Sequence, residues 1–324
     1  MTIFYINIMI MTDTIKVVSY NSTWPKMFED EARLIKQALG SNCIEIYHIG
    51  STSVPGLSAK PIIDILPVVN NILKVDQASK AMEEIGYEAK GENGILFRQF
   101  FIKGNDVKTH HVHIFEKNSP EIERHVKFRD WMRANPNDCD AYAQLKIQLA
   151  DKFSNDRMSY ILGKEGFINN IYKKIGYSGL RVVHALLPQE WEAARQFRQK
   201  YFFDKVKISD PYTWTFDHPD HIHFILYSGV EMAGYAHIQL WKDNRAALRI
   251  IVIDDSQQKK GMGGHFLEVM EKWLTHKGIS KLQVQSSPEA FAFYIRHHYS
   301  EMPFNDPDQH ESDPRDIEIG KNLR

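Results

Sequence analysis

Gln258-Lys259-Lys260-Gly261-Met262-Gly263-Gly264 is the stretch on which the reading of the fold turns. An apolar run, Leu248-Arg249-Ile250-Ile251-Val252-Ile253, feeds it. The segment that leaves it is apolar at Phe266, Leu267, Met270, Trp273 and Leu274, a helical period of 3.6. Glycines at such a strand-to-helix turn let the backbone approach a ligand and adopt φ/ψ values closed to other residues. The N–H groups left free at the helix start, aided by the helix dipole, favour an anion. The local chemistry is that of a diphosphate cradle. A P-loop would need Gly-Lys-Ser/Thr, but Gly163-Lys164 precedes Glu165 and Gly320-Lys321 precedes Asn322. A dinucleotide fingerprint would need a third glycine where Phe266 stands.

Working outward, the C-terminal half reads as strand Leu180–Leu187, helix Pro188–Phe203, and strands His221–Tyr227, Glu231–Leu240 and Ala246–Ile253. The glycine turn and helix Gly263–His276 follow, then strand Lys281–Gln285, helix Pro288–His297 and a last strand, Asp316–Lys321. Upstream, Ile175-Gly176-Tyr177-Ser178-Gly179-Leu180 is a glycine-rich linker, which divides the chain into 15–177 and 178–324. The first part reads as helix Trp24–Leu39, strands Ile44–Ile49 and Pro61–Val69, and helix Val75–Ile85. Strands Gly94–Lys103 and Lys108–Phe115 and helix Asp140–Phe153 come next. The fold class is α/β (α+β), with a mixed sheet and helices in each part.

Composition bounds the function. The 324 residues are 43% hydrophobic and 25% charged, with net charge −1, which excludes a disordered chain. Before Ser178 there are 22 Lys/Arg against 21 Asp/Glu, and afterwards 18 against 20, so neither part carries a nucleic-acid footprint. Two cysteines, Cys43 and Cys139, without a CxxC exclude a disulfide framework and a Cys-based zinc site and suit a reducing cytoplasm. Ile3 to Met11 is apolar but far shorter than the roughly 20 residues of a membrane span. Residues 1–14 read as an N-terminal extension, with Met11 an alternative start. No membrane partner is expected, and the oligomeric state is open.

Gln-x-x-Gly-x-Gly between strand and helix resembles motif A of the GNAT N-acetyltransferases. Ser287-Pro288-Glu289-Ala290-Phe291-Ala292-Phe293-Tyr294, some 30 residues on, resembles the family's Ala-x-x-Phe-Tyr motif. The resemblance covers Leu180 to Arg324. It implies a GNAT fold with a mixed, mostly antiparallel sheet, and acetyl-CoA as co-substrate. The donor would be held around Gln258, Lys259, Lys260, Gly261, Met262, Gly263 and Gly264, with Ile253 orienting the thioester and Ser287 in contact. It implies direct attack by a small-molecule or peptide amine, with Tyr294 as general acid. The base is His237, Glu231 or a water relay. His218, Asp220, His221 and Trp241 are candidates to border the acceptor pocket. The sequence departs from the family at Ser287, where asparagine is usual, and at His298-Tyr299, where a glycine-aromatic pair is usual.

The second constellation runs from His48-Ile49-Gly50-Ser51 through Lys60-Pro61-Ile62-Ile63-Asp64. A Gly-Ser turn after a strand, then a carboxylate on the next strand, is the layout of nucleotidyltransferases. There the second carboxylate lies two residues on, and here that position is Leu66. One carboxylate grips a hard cation poorly. The string Gly50 to Asp64, with His111-Val112-His113 and Phe128-Arg129-Asp130, closely resembles the GrpB (UPF0157) family over Ile15 to Tyr177. The resemblance implies a nucleotidyltransferase-like fold but no established reaction. Gly50, Ser51, Lys60, Asp64, His111 and His113 form the candidate ligand site for a nucleotide-like or anionic molecule. His111 and His113 share a strand face, so a soft-metal site with Asp64 is conceivable, but the reading that these histidines contact a ligand or their neighbours without a metal is preferred. The alternative function is a nucleotidyl- or phosphotransferase whose GNAT part senses CoA, or a binding module without turnover.

Overall fold

The computed structural model describes residues 14–308 and 313–323; the expectation of an N-terminal extension falls on 1–14, of which 1–13 lie outside the described residues. The chain divides into two compact units between Arg181 and Val182. Among the described residues no helix is long and apolar enough to cross a membrane.

The N-terminal unit is a five-stranded mixed sheet in the order β1-β2-β5-β4-β3. Its strands are β1 Cys43–Ile49, β2 Ile63–Val69, β3 Tyr87–Ala89, β4 Gln99–Lys103 and β5 His110–Glu116. Only β2 and β5 run parallel, and the register sets Asp64 beside His111. Helix α1 (Trp24–Leu39) lays Trp24, Ile35 and Leu39 against Ile63, Ile65 and Val112 of the sheet. Helix α2 is short (Ser79–Glu84). Three more helices, α3 (Pro120–Ala134), α4 (Pro136–Lys152) and α5 (Arg157–Lys174), pack through Met132, Tyr142 and Ile171. Val54 and Leu57 of the loop after β1 join that helical core. Arg129 donates to the His48 carbonyl at 3.1 Å and Arg133 to the Ser53 carbonyl at 2.7 Å. The start of the Gly50–Lys60 loop is therefore held by two arginines of α3.

The C-terminal unit is a seven-stranded sheet in the order β11-β12-β10-β9-β8-β7-β6. Its elements are β6 Leu180–His184, α6 Pro188–Arg198, β7 His221–Ser228, β8 Glu231–Leu240, β9 Arg245–Ile253, α7 Met262–His276, β10 Lys281–Ser286, α8 Pro288–Arg296, β11 Ser300–Glu301 and β12 Ile317–Asn322. β9 pairs antiparallel with β8, and β10 antiparallel with β12. β9 and β10 themselves are parallel and pair only over 245–247 and 281–283. Beyond that they diverge and leave a V in the sheet.

Several elements differ from the sequence reading. The strand expected from Gly94 begins only at Gln99, because Gly94 (φ 91°) and Phe97 (φ 58°) turn the chain, and Ile95 N–H bonds the Glu92 carbonyl. The helix expected over Val75–Ile85 is 3₁₀ over Ile72–Ala78 and α only from Ser79. The strand expected to reach Leu187 stops at His184, and Glu190 then caps the start of α6 by accepting the Leu186 and Leu187 N–H groups. Helix α3 was not delimited from the sequence, because charges ring it; its start does carry the Ser119-Pro120 signal, with Ser119 accepting the Glu121 N–H.

Candidate functional site

The glycine turn sits where β9 ends and α7 begins. Gly261 caps the helix in the left-handed region (φ 78°, ψ −4°), and Lys259 is also left-handed (φ 61°). Met262, Gly263 and Gly264 form the first turn, where backbone N–H groups have no intrahelical acceptor. A Cβ at Gly264 would come within 2.7 Å of the His297 ring, so glycine is required there for His297 to close the wall. The turn opens on a cavity of about 850 Å³ lined by Ile251, Val252, Ile253, Gly263, Phe293 and Tyr294 among others. Phe293, Arg296 and His297 were missed as wall residues; they lie on or just past α8, whose register against the turn is tertiary.

Three residues expected at the donor site do other work. Gln258 donates its amide to the Ile253 carbonyl at 3.0 Å and so ties the loop to the strand end. Lys260 reaches back to the Ser256 carbonyl at 3.1 Å and Gln257 at 3.0 Å. Ser287 is the N-cap of α8, accepting the Ala290 N–H at 3.4 Å, and is not a cavity wall. Tyr294 is buried, yet it lines the donor cavity, and its hydroxyl makes no hydrogen bond to a described residue. Burial pushes its phenol well above the usual value, so the proton stays on at neutral pH.

On the other side of the V is a second cavity, of about 470 Å³, lined by His221, His237, Leu248, Arg249 and Ile250. The β8–β9 register slips here: His237 opposes Ile250 and Ile238 opposes Leu248, leaving Arg249 as a bulge residue. The two cavities are lined by successive residues of β9, Ile250 and Ile251, in the stretch where β9 no longer pairs with β10. His237 Nε2 lies 2.7 Å from His221 Nδ1, and its ring stacks on His223 at 4.5 Å. The Thr215 carbonyl can only accept, so His223 Nε2 donates to it at 3.1 Å; His223 Nδ1 then accepts the Tyr235 hydroxyl at 2.7 Å. Burial drives His223 down to about 3, and burial plus the two neighbouring imidazoles hold His237 well below its usual value. Both are neutral at pH 7.

Glu231 is not brought to this place. It begins β8, six residues from His237 or about 20 Å along a strand, and lines a separate cavity with Lys200, Tyr201 and Asp254. Of the four acceptor-border candidates, only His221 lines the cavity at the V; His218, Asp220 and Trp241 line a neighbouring one with Asp308.

In the N-terminal unit the expected residues do assemble. Asp64 Oδ1 lies 3.4 Å from His111 Nδ1 and 3.6 Å from His113 Nε2. Burial alone would push the Asp64 carboxyl up; the two histidines outweigh it and hold it well below the usual carboxylate range. Gly50 (φ 69°) must be glycine, since a Cβ there would strike the Asp64 carboxylate. The ligand atoms of Asp64, His111 and His113 lie within 4.8 Å of one another, close enough to grip a cation. The second partner of His113 argues for the other arrangement: Arg98 Nη1 sits 3.4 Å from Nδ1 and can only donate. With the Nδ1 lone pair facing that donor, the matching tautomer carries its proton on Nε2, toward Asp64.

Two cationic residues escaped the sequence reading. Lys146 on α4 is buried, donates to Ser51 Oγ at 2.8 Å and to the Ser58 carbonyl, and rests on the Tyr142 ring. Burial and then Lys164 push it down to about 7. Burial and then Lys60 push Lys164, on α5, down to about 8. Lys146 therefore touches the Gly50–Ser51 turn, with Lys164 close enough to Lys146, and Lys60 to Lys164, to repel electrostatically. Lys146 falls inside the Tyr142–Leu145–Leu149 stripe, which reads as core, so helical spacing hid it. Leu66 is fully buried with Ile49, Val68 and Phe115, so β2 carries no second carboxylate beside Asp64.

The family model described as GrpB protein matches residues 14–174, and that of the acetyltransferase (GNAT) family matches residues 184–299. The UPF0157 protein YqkA of Bacillus subtilis is 46% identical over 154 residues, 48% of this chain and 45% of YqkA; the match thus spans about half of that relative's length. A UPF0157 protein of Halalkalibacterium halodurans is 38% identical over 161 residues, 50% of this chain and 82% of that protein. The crystal structure of GrpB from Enterococcus faecalis matches with 45% identity and a TM-score of 0.48, covering 49% of this chain and 96% of that one. The chain belongs to the GrpB (UPF0157) family through its N-terminal half, and its C-terminal half is a GNAT acetyltransferase domain.

Proposed function

We propose that the C-terminal domain is an acetyl-CoA-dependent N-acetyltransferase acting on an amine by direct attack. The observation that carries this reading is the pair of cavities lined by successive β9 residues at the β9–β10 V, one beginning at an anion-type helix N-terminus and the other lined by His221 and the neutral His237. Free N–H groups of Met262, Gly263 and Gly264 would hold the donor's diphosphate. The V would admit the thioester so that an amine in the second cavity meets the carbonyl carbon. In the reaction a C–N bond forms and the C–S bond breaks. The ammonium's protons leave before and during attack, and the thiolate takes one from Tyr294. His237, opposite Ile250 and paired with His221, is better placed than Glu231 to remove the amine proton. The separate buried thiols Cys43 and Cys139 support a reducing cytoplasm as the setting.

Replacing Tyr294 by Phe should lower kcat about 100-fold while acetyl-CoA affinity stays within about twofold, as general acids contribute about 10²–10⁴-fold. Steady-state CoA release with a calorimetric donor titration separates the two quantities. An unchanged kcat would remove Tyr294 as the acid.

For the N-terminal domain we propose an anion pocket, supported by the contact of Lys146 with Ser51 and by the mutual repulsion of Lys60, Lys164 and Lys146 near it. Inorganic pyrophosphate is the probe. Lysines bind anions when protonated, so affinity should be greatest below about pH 7 and fall toward pH 9 as Lys146 and Lys164 lose their protons. Lys146→Met should weaken binding about tenfold or more. Binding that is flat with pH and indifferent to Lys146 would count against the pocket. The absence of a carboxylate at Leu66 disfavours a two-carboxylate nucleotidyltransferase centre.

A further inference from the structure

The cavity on the acceptor side of the V has a character that restricts what it can bind. Its rim is aromatic and open: Phe202, Tyr212 and Trp214 are each about two-fifths exposed. They belong to one segment, in which Val206 and Ile208 are also exposed. So many large apolar side chains left in water on one short segment mark a binding surface.

The charges around the cavity are not balanced. Arg198 is held by Asp210 at 2.8 Å and by Thr215. Arg249 is held by Asp306 and by the Gln239 side-chain amide oxygen Oε1, each at 2.6 Å. Both guanidinium groups that reach the cavity are therefore engaged within the protein and offer no clamp for a ligand carboxylate. Asp313 is likewise held by Arg315 at 2.7 Å. Asp316 also lines the cavity; its carboxylate accepts the Asp313 backbone N–H and has no ion-pair partner within 4 Å among the described residues. It precedes Ile317, which pairs with Ser286 at the open end of β10. His221 and His237 line the same cavity, and burial with the neighbouring imidazoles keeps His237 neutral.

An aromatic rim, one carboxylate without an ion-pair partner and, among the described residues lining the cavity, no unengaged cation select for a positive charge on an apolar body and against a second negative charge. We propose that the acetyl acceptor is a cationic primary amine carried on an apolar, aromatic-compatible body without a carboxylate, docked between Trp214 and Asp316. This inference rests on the acetyltransferase reading and narrows its acceptor from amines at large to this class. The cavity's volume of about 470 Å³ suits a small molecule of one or two rings.

The test uses the full chain and matched pairs that differ only in a carboxylate: phenethylamine against phenylalanine, and tryptamine against tryptophan. CoA release is followed with acetyl-CoA in excess. Each amine is expected to exceed its amino acid in kcat/KM by about tenfold or more, the scale for one misplaced charge. Asp316→Asn should raise KM for the amines about fivefold and leave KM for acetyl-CoA unchanged, which also reports an intact fold. Trp214→Ala should raise KM for tryptamine more than for propylamine. Amino acids turned over as well as the amines, or an unchanged amine KM in Asp316→Asn, would overturn the proposal. A calorimetric acetyl-CoA titration run first distinguishes the two failures. No donor binding sinks the acetyltransferase reading, and this inference with it. Donor binding with neither heat nor turnover from either amine sinks the acceptor class alone.

Discussion

Gly261→Glu should weaken acetyl-CoA binding at least about 100-fold, roughly 2.7 kcal/mol, while leaving the C-terminal domain folded. The position has two separable properties. Its φ of 78° lies in the left-handed region, where a side chain costs about 1–2 kcal/mol. A Cβ there would meet nothing within 4 Å, so no packing is lost. The cost to the fold is thus modest, a drop of several degrees in melting temperature. The cost to the ligand is larger. The new carboxylate would stand at the N-terminus of α7, where free N–H groups and the helix dipole would otherwise meet an anion. Gly261→Asn is the control, since asparagine tolerates the left-handed region and adds no charge. It should bind within about threefold of wild type. Calorimetry on both variants, with thermal melts alongside, makes the measurement. Unchanged affinity in Gly261→Glu would mean that the donor diphosphate does not use this turn.

Glu121→Gln should destabilise the N-terminal domain by about 3–5 kcal/mol, the cost of removing one partner from a buried ion pair. Glu121, on α3, is 3% exposed. Arg124 Nη1 donates to it at 3.2 Å and Arg181 Nη1 at 3.1 Å, while His125 Nδ1 donates to its backbone carbonyl at 2.7 Å. Burial by itself would push the Glu121 carboxyl up; the two guanidinium groups and His125 hold it well below the ordinary range. A glutamine keeps the shape but removes the negative charge that the largely buried Arg124 and Arg181 guanidinium groups share. Because the folded carboxyl is depressed, its contribution is complete above about pH 4.3 and is lost as pH falls below that value. Urea unfolding of wild type and variant at pH 7 and pH 3 checks both statements. The difference between the two proteins should shrink at pH 3. A variant as stable as wild type at pH 7 would show that Arg124 and Arg181 find other partners.

The donor turn was legible because its physics is local. A strand, three glycines and an amphipathic helix lie within about 30 consecutive residues, and hydrophobic period and glycine placement are readable one residue at a time. The same holds for Gly50, Ser51 and Asp64, where a strand, a turn and the next strand follow in order. His111 and His113 could be put on one face of a strand from their spacing. That this face meets Asp64 needed the parallel β2–β5 pairing, which joins segments more than 40 residues apart.

Other features could not be read in this way. Gln258 and Lys260 belong to the correct loop, but side-chain direction decides whether a loop residue faces a ligand or braces its own turn, and both brace it. Glu231 and His237 share one strand, and only the β8–β9 register, with its bulge at Arg249, separates the residue beside the V from the one about 20 Å away. Lys146 and Lys164 sit on helices whose polar and apolar positions carry no mark of a ligand. That Lys146 touches Ser51, with Lys164 close to Lys146, follows from how α4 and α5 pack.

The amino-acid sequence by itself determined the two halves, their α/β class, the glycine turn at the α7 N-terminus and the Gly-Ser-to-Asp64 loop, because these rest on periodicity and short-range backbone preference. The tertiary structure alone decided the rest. It opened the sheet between β9 and β10, set a cavity on each of two successive β9 residues there, and brought Asp316 and His237 to one cavity. It also buried Leu66 where a second carboxylate would stand and turned Arg98 onto His113. Each of these depends on contacts between residues far apart in the chain, and long-range packing and strand register leave little trace in any local stretch of sequence.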